Sequence, residues 1–218
     1  MTASTLGRLH VITDETRQHR FSHVELAHGA AAGRADVVQY REKRQRTTRE
    51  FIEMAHAMAA ALDGTAARLL VDDRADVALA VGAIGVHLGR HDVDVATARR
   101  ILGPGRLIGG TANSVEEALR VAATDVDYLG VGPVFGTTSK ATPAPMLGLE
   151  GLAAIVAAVK VPVIAIGSMT VDRVADVLAT GAHGLAVLSA IVCHPQPELA
   201  TARFRQTIDT CLKETIHA

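Results

Sequence analysis

The sequence has no tryptophan, and aromatic residues make up only 3% of its 218 positions. A core must therefore come from Ala, Val, Leu and Ile, and a platform of stacking rings for single-stranded nucleic acid is not expected. The two cysteines, Cys193 and Cys211, cannot form a disulfide framework and point to a reducing, cytoplasmic compartment. Neither sign of charge dominates. The 22 Lys and Arg against 23 Asp and Glu leave no general field for nucleic acid or a membrane surface. A membrane-spanning run is missing too. The most apolar stretch, 152–169, contains Lys160 and Pro162 and changes from Ala-rich to Val/Ile-rich at the proline. It reads as a helix followed by a strand. Residues 1–7 are polar and lack the apolar centre of a signal peptide.

What the chain does have is alternation. Short β-rich runs at 9–13, 36–40, 68–71, 84–88, 107–109, 128–131, 161–166 and 184–188 read as strands. Helical patterns lie between them at 22–33, 47–62, 75–81, 94–102, 114–123, 149–159 and 170–179, with a last one at 197–212. Ser22 and Thr47 or Thr48 are placed as N-caps, and Ser114-Val-Glu-Glu117 reads as a capping box. A glycine stop before an apolar strand recurs, as in Gly82-Ala-Ile-Gly-Val-His87 and Gly181-Ala-His-Gly-Leu-Ala186. The strands are apolar without alternation, as parallel strands covered on both faces are. No linker divides the chain, so residues 1–218 are expected to form one α/β domain, a (β/α)₈ TIM barrel. The alternative, an open doubly wound sheet, would carry a Gly-x-Gly-x-x-Gly turn after its first strand, and none is present.

Chemistry in such barrels sits at the C-terminal ends of the strands, and the polar residues of this chain collect there. Gln39, Arg41 and Lys43 leave the second strand, Asp72 and Asp73 the third, and Asp92 the fourth. Thr111 follows the fifth strand, and Thr137, Ser139 and Lys140 the sixth. Gly167 and Ser168 follow the seventh, and Leu188 and Ser189 the eighth. Asp73 and Asp92 are hard oxygen ligands suited to Mg²⁺, with a helix N-cap and a surface loop as their plainer roles. Arg41, Lys43 and Lys140 suit phosphate groups. The exits of strands six to eight suit a monophosphate. Residues 132–145, rich in Gly, Thr, Ser and Pro, have the composition of a lid loop. His87 and His91 are four apart but at a strand exit, so no zinc site is expected. Cys193 and Cys211 are placed in or near the last helix, away from the exits, as buried packing residues. The mouth thus reads as one divalent metal and two anion sites, for a metal-bound pyrophosphate and a monophosphate.

From residue 9 to 197 the sequence resembles the thiamine-phosphate synthases. The likeness rests on Gln39-Tyr-Arg-Glu-Lys43, Asp72-Asp-Arg-Ala-Asp76, Gly85-Val-His-Leu-Gly89 with Asp92, and Tyr128-Leu-Gly-Val-Gly-Pro-Val-Phe135. Thr137 to Lys140, Leu147-Gly-Leu-Glu-Gly151 and Pro162-Val-Ile-Ala-Ile-Gly167 complete it. The resemblance implies a Mg²⁺-dependent barrel enzyme that joins hydroxymethylpyrimidine pyrophosphate to thiazole phosphate. It implies that Gln39, Arg41 and Lys43 bind the pyrimidine pyrophosphate and that Asp73 and Asp92 hold Mg²⁺. Thr111 would stand near the reacting centre, and Lys140 would reach the pyrophosphate. Thr137, Ser139, Gly167, Ser168 and the backbone at Leu188 and Ser189 would bind the thiazole phosphate. The expected partners are phosphorylated small molecules, with no nucleic acid or membrane; the oligomeric state is left open, a homo-oligomer included. The chain departs from the family pattern at Asp72 (usually Asn), Thr111-Ala-Asn113 (Ser-Thr-His), Ser139 (Thr) and Ser168 (Gly). Two alternatives stand beside the synthase reading. The sister thiazole tautomerases use a His where this chain has Asn113 and lack the Gln-x-Arg-Glu-Lys set. A non-catalytic, regulatory phosphate-binding barrel is the other.

Overall fold

Successive strand residues point to opposite faces of a sheet, and here both faces are apolar, so each needs a cover. The computed structural model, which describes residues 6–137 and 144–217, provides both by closing the sheet on itself. Eight parallel strands pair in chain order around a closed barrel. They are β1 (Leu9–Thr13), β2 (Val37–Tyr40), β3 (Arg68–Asp72), β4 (Gly85–Leu88), β5 (Leu107–Ala112), β6 (Tyr128–Val131), β7 (Val163–Ile166) and β8 (Gly184–Val187). The helices are α1 (His23–Ala32), α2 (Thr48–Leu62), α3 (Ala75–Ala80), α4 (Val95–Leu102), α5 (Val115–Ala122), α6 (Gly148–Ala158), α7 (Val174–Ala179), α8 (Ser189–Val192) and α9 (Pro197–His217). The expected (β/α)₈ barrel is the fold observed.

Two apolar layers result. Ile12, Val37, Leu70, Leu107, Tyr128, Ile164 and Ala186, with Leu6 below them, fill the barrel. Their neighbours Val11, Val38, Leu69, Val86, Ile108, Leu129, Ala165 and Leu185 face out and pack under the helices. The inner layer has room for one large ring because two strand positions lack a side chain. A Cβ at Gly109 would lie 2.2 Å from the Tyr128 ring, and one at Gly130 would lie 2.7 Å from the His87 ring. This packing explains the largest shift from the expected boundaries. Gly109-Gly110 reads as a strand end, but β5 continues to Ala112 because those glycines accommodate the neighbouring strand's aromatic ring and α5's Val121.

Local signals hold at most helix starts. Ser22 with Glu25 and Thr47 with Glu50 form reciprocal capping boxes, each worth about 1 kcal/mol. Ser114 accepts the Glu117 amide but forms only half a box. The Glu117 carboxylate goes instead to the Asn113 N–H, at 2.8 Å, and to Arg90. The helix expected from Thr170 opens as a 3₁₀ turn, Val171–Arg173, before α7. A short helix not expected from sequence, α8, follows β8 directly. Neither cysteine is fully buried. Cys193 sits at the C-terminal end of α8 beside the loop after β1, with Sγ 3.5 Å from the Arg17 carbonyl. No helix among the described residues is long and apolar enough to cross a membrane.

Two buried histidines give this core a pH signature. His10 lies inside the barrel, with Nε2 2.9 Å from the Leu6 carbonyl. Burial drives its pKa down from 6.5 to about 4. His23, on α1, is lowered as well, again chiefly by burial and against the pull of Glu15 and Glu42. Both rings stay neutral when folded, whereas the unfolded chain takes up protons below its ordinary value. Stability is therefore indifferent to these groups above pH 6.5 and falls as the pH drops toward 4. From His10 alone the loss is roughly 3 kcal/mol. Relative to a His10→Gln variant, the parent's thermal midpoint should be constant above pH 6.5 and should fall between pH 6.5 and 4; a difference that does not change with pH contradicts this.

Candidate active site

Alternation does not stop at the last paired residue of β2. Gln39 faces the barrel interior, Tyr40 faces α1 and α2, and the next residues keep the pattern. Arg41 and Lys43 turn into the mouth, while Glu42 turns outward and is buried against α1. There Glu42 receives Arg44 and Arg46 and lies 3.6 Å from the His23 ring. Burial alone would push the Glu42 carboxyl up, but hydrogen bonds and charge from Arg44 prevail and bring it down to about 2. Tyr40 wedges beside it, edge-on to His23 with ring centroids 4.8 Å apart. The outward half of this strap is thus an anchor that fixes the inward half.

The inward half is a charge array. Gln39 Nε2 donates to Asp72 Oδ1 at 2.7 Å. Arg41 pairs with Asp14, at the exit of β1, and places its Nε 3.7 Å from Asp72 Oδ2. Lys43 Nζ lies 3.3 Å from Asp72 Oδ2 and donates to Asp73. Asp72 closes β3 and is almost fully buried. Burial, and then the charge of Asp73, raises its carboxyl to about 7 against the pull of Lys43 and Arg41. Asp73 follows in a left-handed conformation, φ +63°. Burial would raise it too, but the hydrogen bond and charge of Lys43 hold it below the ordinary carboxylate range. Burial opposes the Lys43 charge, yet the two aspartates raise its pKa above the usual value.

Asp73 also meets Asp92, which arrives from the β4–α4 loop; the two carboxyls are within hydrogen-bond contact. The Gly89 N–H fixes Asp92 Oδ2 at 2.6 Å. Burial raises the Asp92 carboxyl and the Asp73 charge adds to the effect. Asp73 is not a helix cap, since Arg74 holds that position before α3. Asp92 is anchored rather than a loose surface residue. Among the described residues no three His, Cys, Asp or Glu side chains converge as a ligand set. The pair offers two hard oxygen ligands, the number of carboxylates that Mg²⁺ takes when phosphate oxygens and water supply the rest.

The other exits complete the rim. Thr111 lies within β5, with its hydroxyl 3.0 Å from His87 Nε2 and 3.2 Å from the Leu88 carbonyl. Thr137 ends the described part of the β6–α6 loop; Ser139 and Lys140 lie outside the described residues. Gly167, φ +115°, could not carry a side chain, because a Cβ would lie 2.7 Å from Pro133 Cα. Ser168, where the family pattern has glycine, also adopts a left-handed φ of +46°. Its hydroxyl donates to the Gly136 carbonyl at 3.0 Å and so ties the β7 turn to the base of the β6 loop. Leu188 and the exposed Ser189 open α8 at the same end of the barrel.

Three contributors escaped the sequence reading. Asp14 is a buried carboxylate directly after β1, and its position at a strand exit was the available signal. His87 faces the barrel interior, between Tyr128 and Thr111. Arg173 stacks on Phe135, 4.3 Å from the ring centroid, and donates to the Ser168 carbonyl at 2.7 Å. Nothing in the sequence pairs Phe135 with a residue 38 positions on. The array also sets a test of Asp72. The substitution Asp72→Asn keeps the acceptor for Gln39 and removes a charge that burial disfavours. The thermal midpoint at pH 8 should rise, by an amount on the order of 2 kcal/mol in stability. A lower midpoint would make ionised Asp72 a net stabilising partner of Arg41 and Lys43.

Known proteins share this chain's sequence and fold. The family model described as thiamine monophosphate synthase matches residues 9–191. The thiamine-phosphate synthase of Salinibacter ruber is 48% identical over 96% of this chain and 92% of its own length. That of Methanoculleus marisnigri is 46% identical over 92% of this chain and 94% of its own. The solved thiamine phosphate pyrophosphorylase of Pyrococcus furiosus superposes with a TM-score of 0.86 at 38% identity, covering 96% of this chain and 98% of that one. A 3-hexulose-6-phosphate synthase, 19% identical at a TM-score of 0.66, shares the fold alone. A match that spans most of the barrel, with relatives nearly half identical over almost all of it, means that the chain belongs to the thiamine monophosphate synthase family.

Proposed function

We propose that the enzyme condenses hydroxymethylpyrimidine pyrophosphate with thiazole phosphate, forming thiamine phosphate and releasing pyrophosphate. The observation that carries this reading is the convergence of Gln39, Arg41 and Lys43 on Asp72 and Asp73, with Asp92 against Asp73, at one end of the barrel. Relatives 46–48% identical to it over most of its length are thiamine-phosphate synthases. Arg41 and Lys43, with Lys140, would hold the pyrophosphate, and Gln39, Asp72 and Thr111 would face the pyrimidine. Thr137, Ser139, Gly167, Ser168, Leu188 and Ser189 would hold the thiazole phosphate. The donor chemistry of Asp73 and Asp92 fits Mg²⁺, whose contribution when bound is to neutralise charge on the departing pyrophosphate. A cytoplasmic enzyme with phosphorylated small-molecule substrates accords with this chemistry.

The substitution proposed is dissociative. The bond from the pyrimidine methylene carbon to the pyrophosphate oxygen breaks, and the electron pair leaves with the pyrophosphate. The thiazole nitrogen lone pair then forms the new C–N bond. No proton moves in the bond-forming step, so no general base is required of the rim. The side chains act by position and charge: cations already fixed where negative charge develops need little reorganisation as the bond breaks.

A coupling assay with both substrates tests the reading. Thiamine phosphate should form with Mg²⁺ and not with chelator. The variants Lys43→Ala and Asp92→Asn should each lower kcat/KM by about a hundredfold or more, on the scale of a lost charge-stabilising group, with an unchanged circular dichroism spectrum. Turnover that survives chelation, or parent-level activity in Asp92→Asn, would overturn the metal-assisted route.

A further inference from the structure

Inside the barrel, below the rim, a chain of hydrogen bonds has a direction. Tyr128 is fully buried, and its hydroxyl lies 3.1 Å from His87 Nδ1. The other ring nitrogen, Nε2, lies 3.0 Å from Thr111 Oγ1. The Thr111 hydroxyl in turn donates to the Leu88 carbonyl at 3.2 Å. Gly109 and Gly130 leave the space that the Tyr128 and His87 rings occupy.

Proton counting selects one arrangement. A hydroxyl has one proton and two lone pairs, and a neutral imidazole has one donor and one acceptor nitrogen. If the Thr111 proton goes to Leu88, Thr111 must accept from His87, so Nε2 carries the ring proton. Nδ1 is then the acceptor and takes the Tyr128 proton. The opposite tautomer would point Nδ1–H at the phenol oxygen. Among the described residues the Tyr128 proton would then have no acceptor, and a buried donor without a partner is costly. Burial, reinforced by the charges of Asp72 and Asp127, holds the phenol well above its ordinary range, so it keeps its proton to donate.

We infer that His87 is a positioning residue which, locked as the Nε2–H tautomer by Tyr128, turns the half-buried Thr111 hydroxyl into an acceptor toward the mouth. With its proton on Leu88 and one lone pair on His87, Thr111 has a single lone pair left to offer. It would recognise a ring substituent that brings its own N–H, such as an exocyclic amine, and disfavour an oxo group at the same place. This specificity rests on the proposed placement of the pyrimidine at Thr111; the tautomer does not.

Nitrogen-15 correlation spectra of the imidazole rings, taken on the free protein, read the tautomer without any substrate. The Nε2–H form is expected for His87; Nδ1–H in the parent would overturn the assignment. Kinetics then read the consequence. With aminopyrimidine and oxopyrimidine pyrophosphates as competing substrates, Thr111→Val should lower the preference for the amine about tenfold, the scale of one hydrogen bond. KM for thiazole phosphate should not change. Thr111→Ser should keep the preference. An unaltered preference in Thr111→Val, with melting curves showing folded protein, would overturn the specificity. If the parent makes no thiamine phosphate, the proposed reaction falls while the spectra still decide the His87 assignment.

Discussion

Arg41 and Lys43 stand in the barrel mouth because Asp14, Asp72 and Asp73 hold them there, and because Glu42 between them is anchored in the opposite direction. Period-two alternation makes this division, and the closed barrel gives its two sides different meanings. One side is the mouth, where charges face solvent and the proposed substrates; the other is the wall beneath α1 and α2, where they meet structure. A one-residue slip in β2 would exchange the two sets. It would bury Arg41 and Lys43 against α1 and turn Glu42 toward the anions they are proposed to bind.

Among the described residues of the mouth, each cation already faces a carboxylate before any ligand arrives. Asp73 and Lys43 stabilise each other's ionised forms, while burial keeps Asp72 reluctant to ionise. This balance gives the departure at Asp72 a physical reading. A carboxyl that burial and a like charge push up to about 7 behaves near neutrality partly as the uncharged group usual at that position. Ser168 is accommodated differently. Its hydroxyl bond to Gly136 compensates part of the cost of a left-handed backbone.

Much of the architecture was legible in the sequence because the two periodicities alternate cleanly and the glycine stops are regular. The strand exits, read as a set, already named the Gln39, Arg41, Lys43, Asp73 and Asp92 constellation. What stayed hidden depended on neighbours far along the chain. Gly109 looks like a strand end until Tyr128 is beside it. Glu117 looks like a capping-box partner until Arg90 and Asn113 compete for it. His87 drew notice only through its spacing from His91, which gave no zinc site, whereas its partners come from β5 and β6. The short helix α8 has no cap residue or periodic run to announce it.

The proposed metal-assisted pyrophosphate site ties the two cations to the two carboxylates, and calorimetric titration with inorganic pyrophosphate addresses that tie directly. Binding that is weak alone, strengthens with Mg²⁺ and disappears in Lys43→Ala is the expected result. Pyrophosphate affinity that is indifferent to Mg²⁺, or that survives the loss of Lys43, would contradict it.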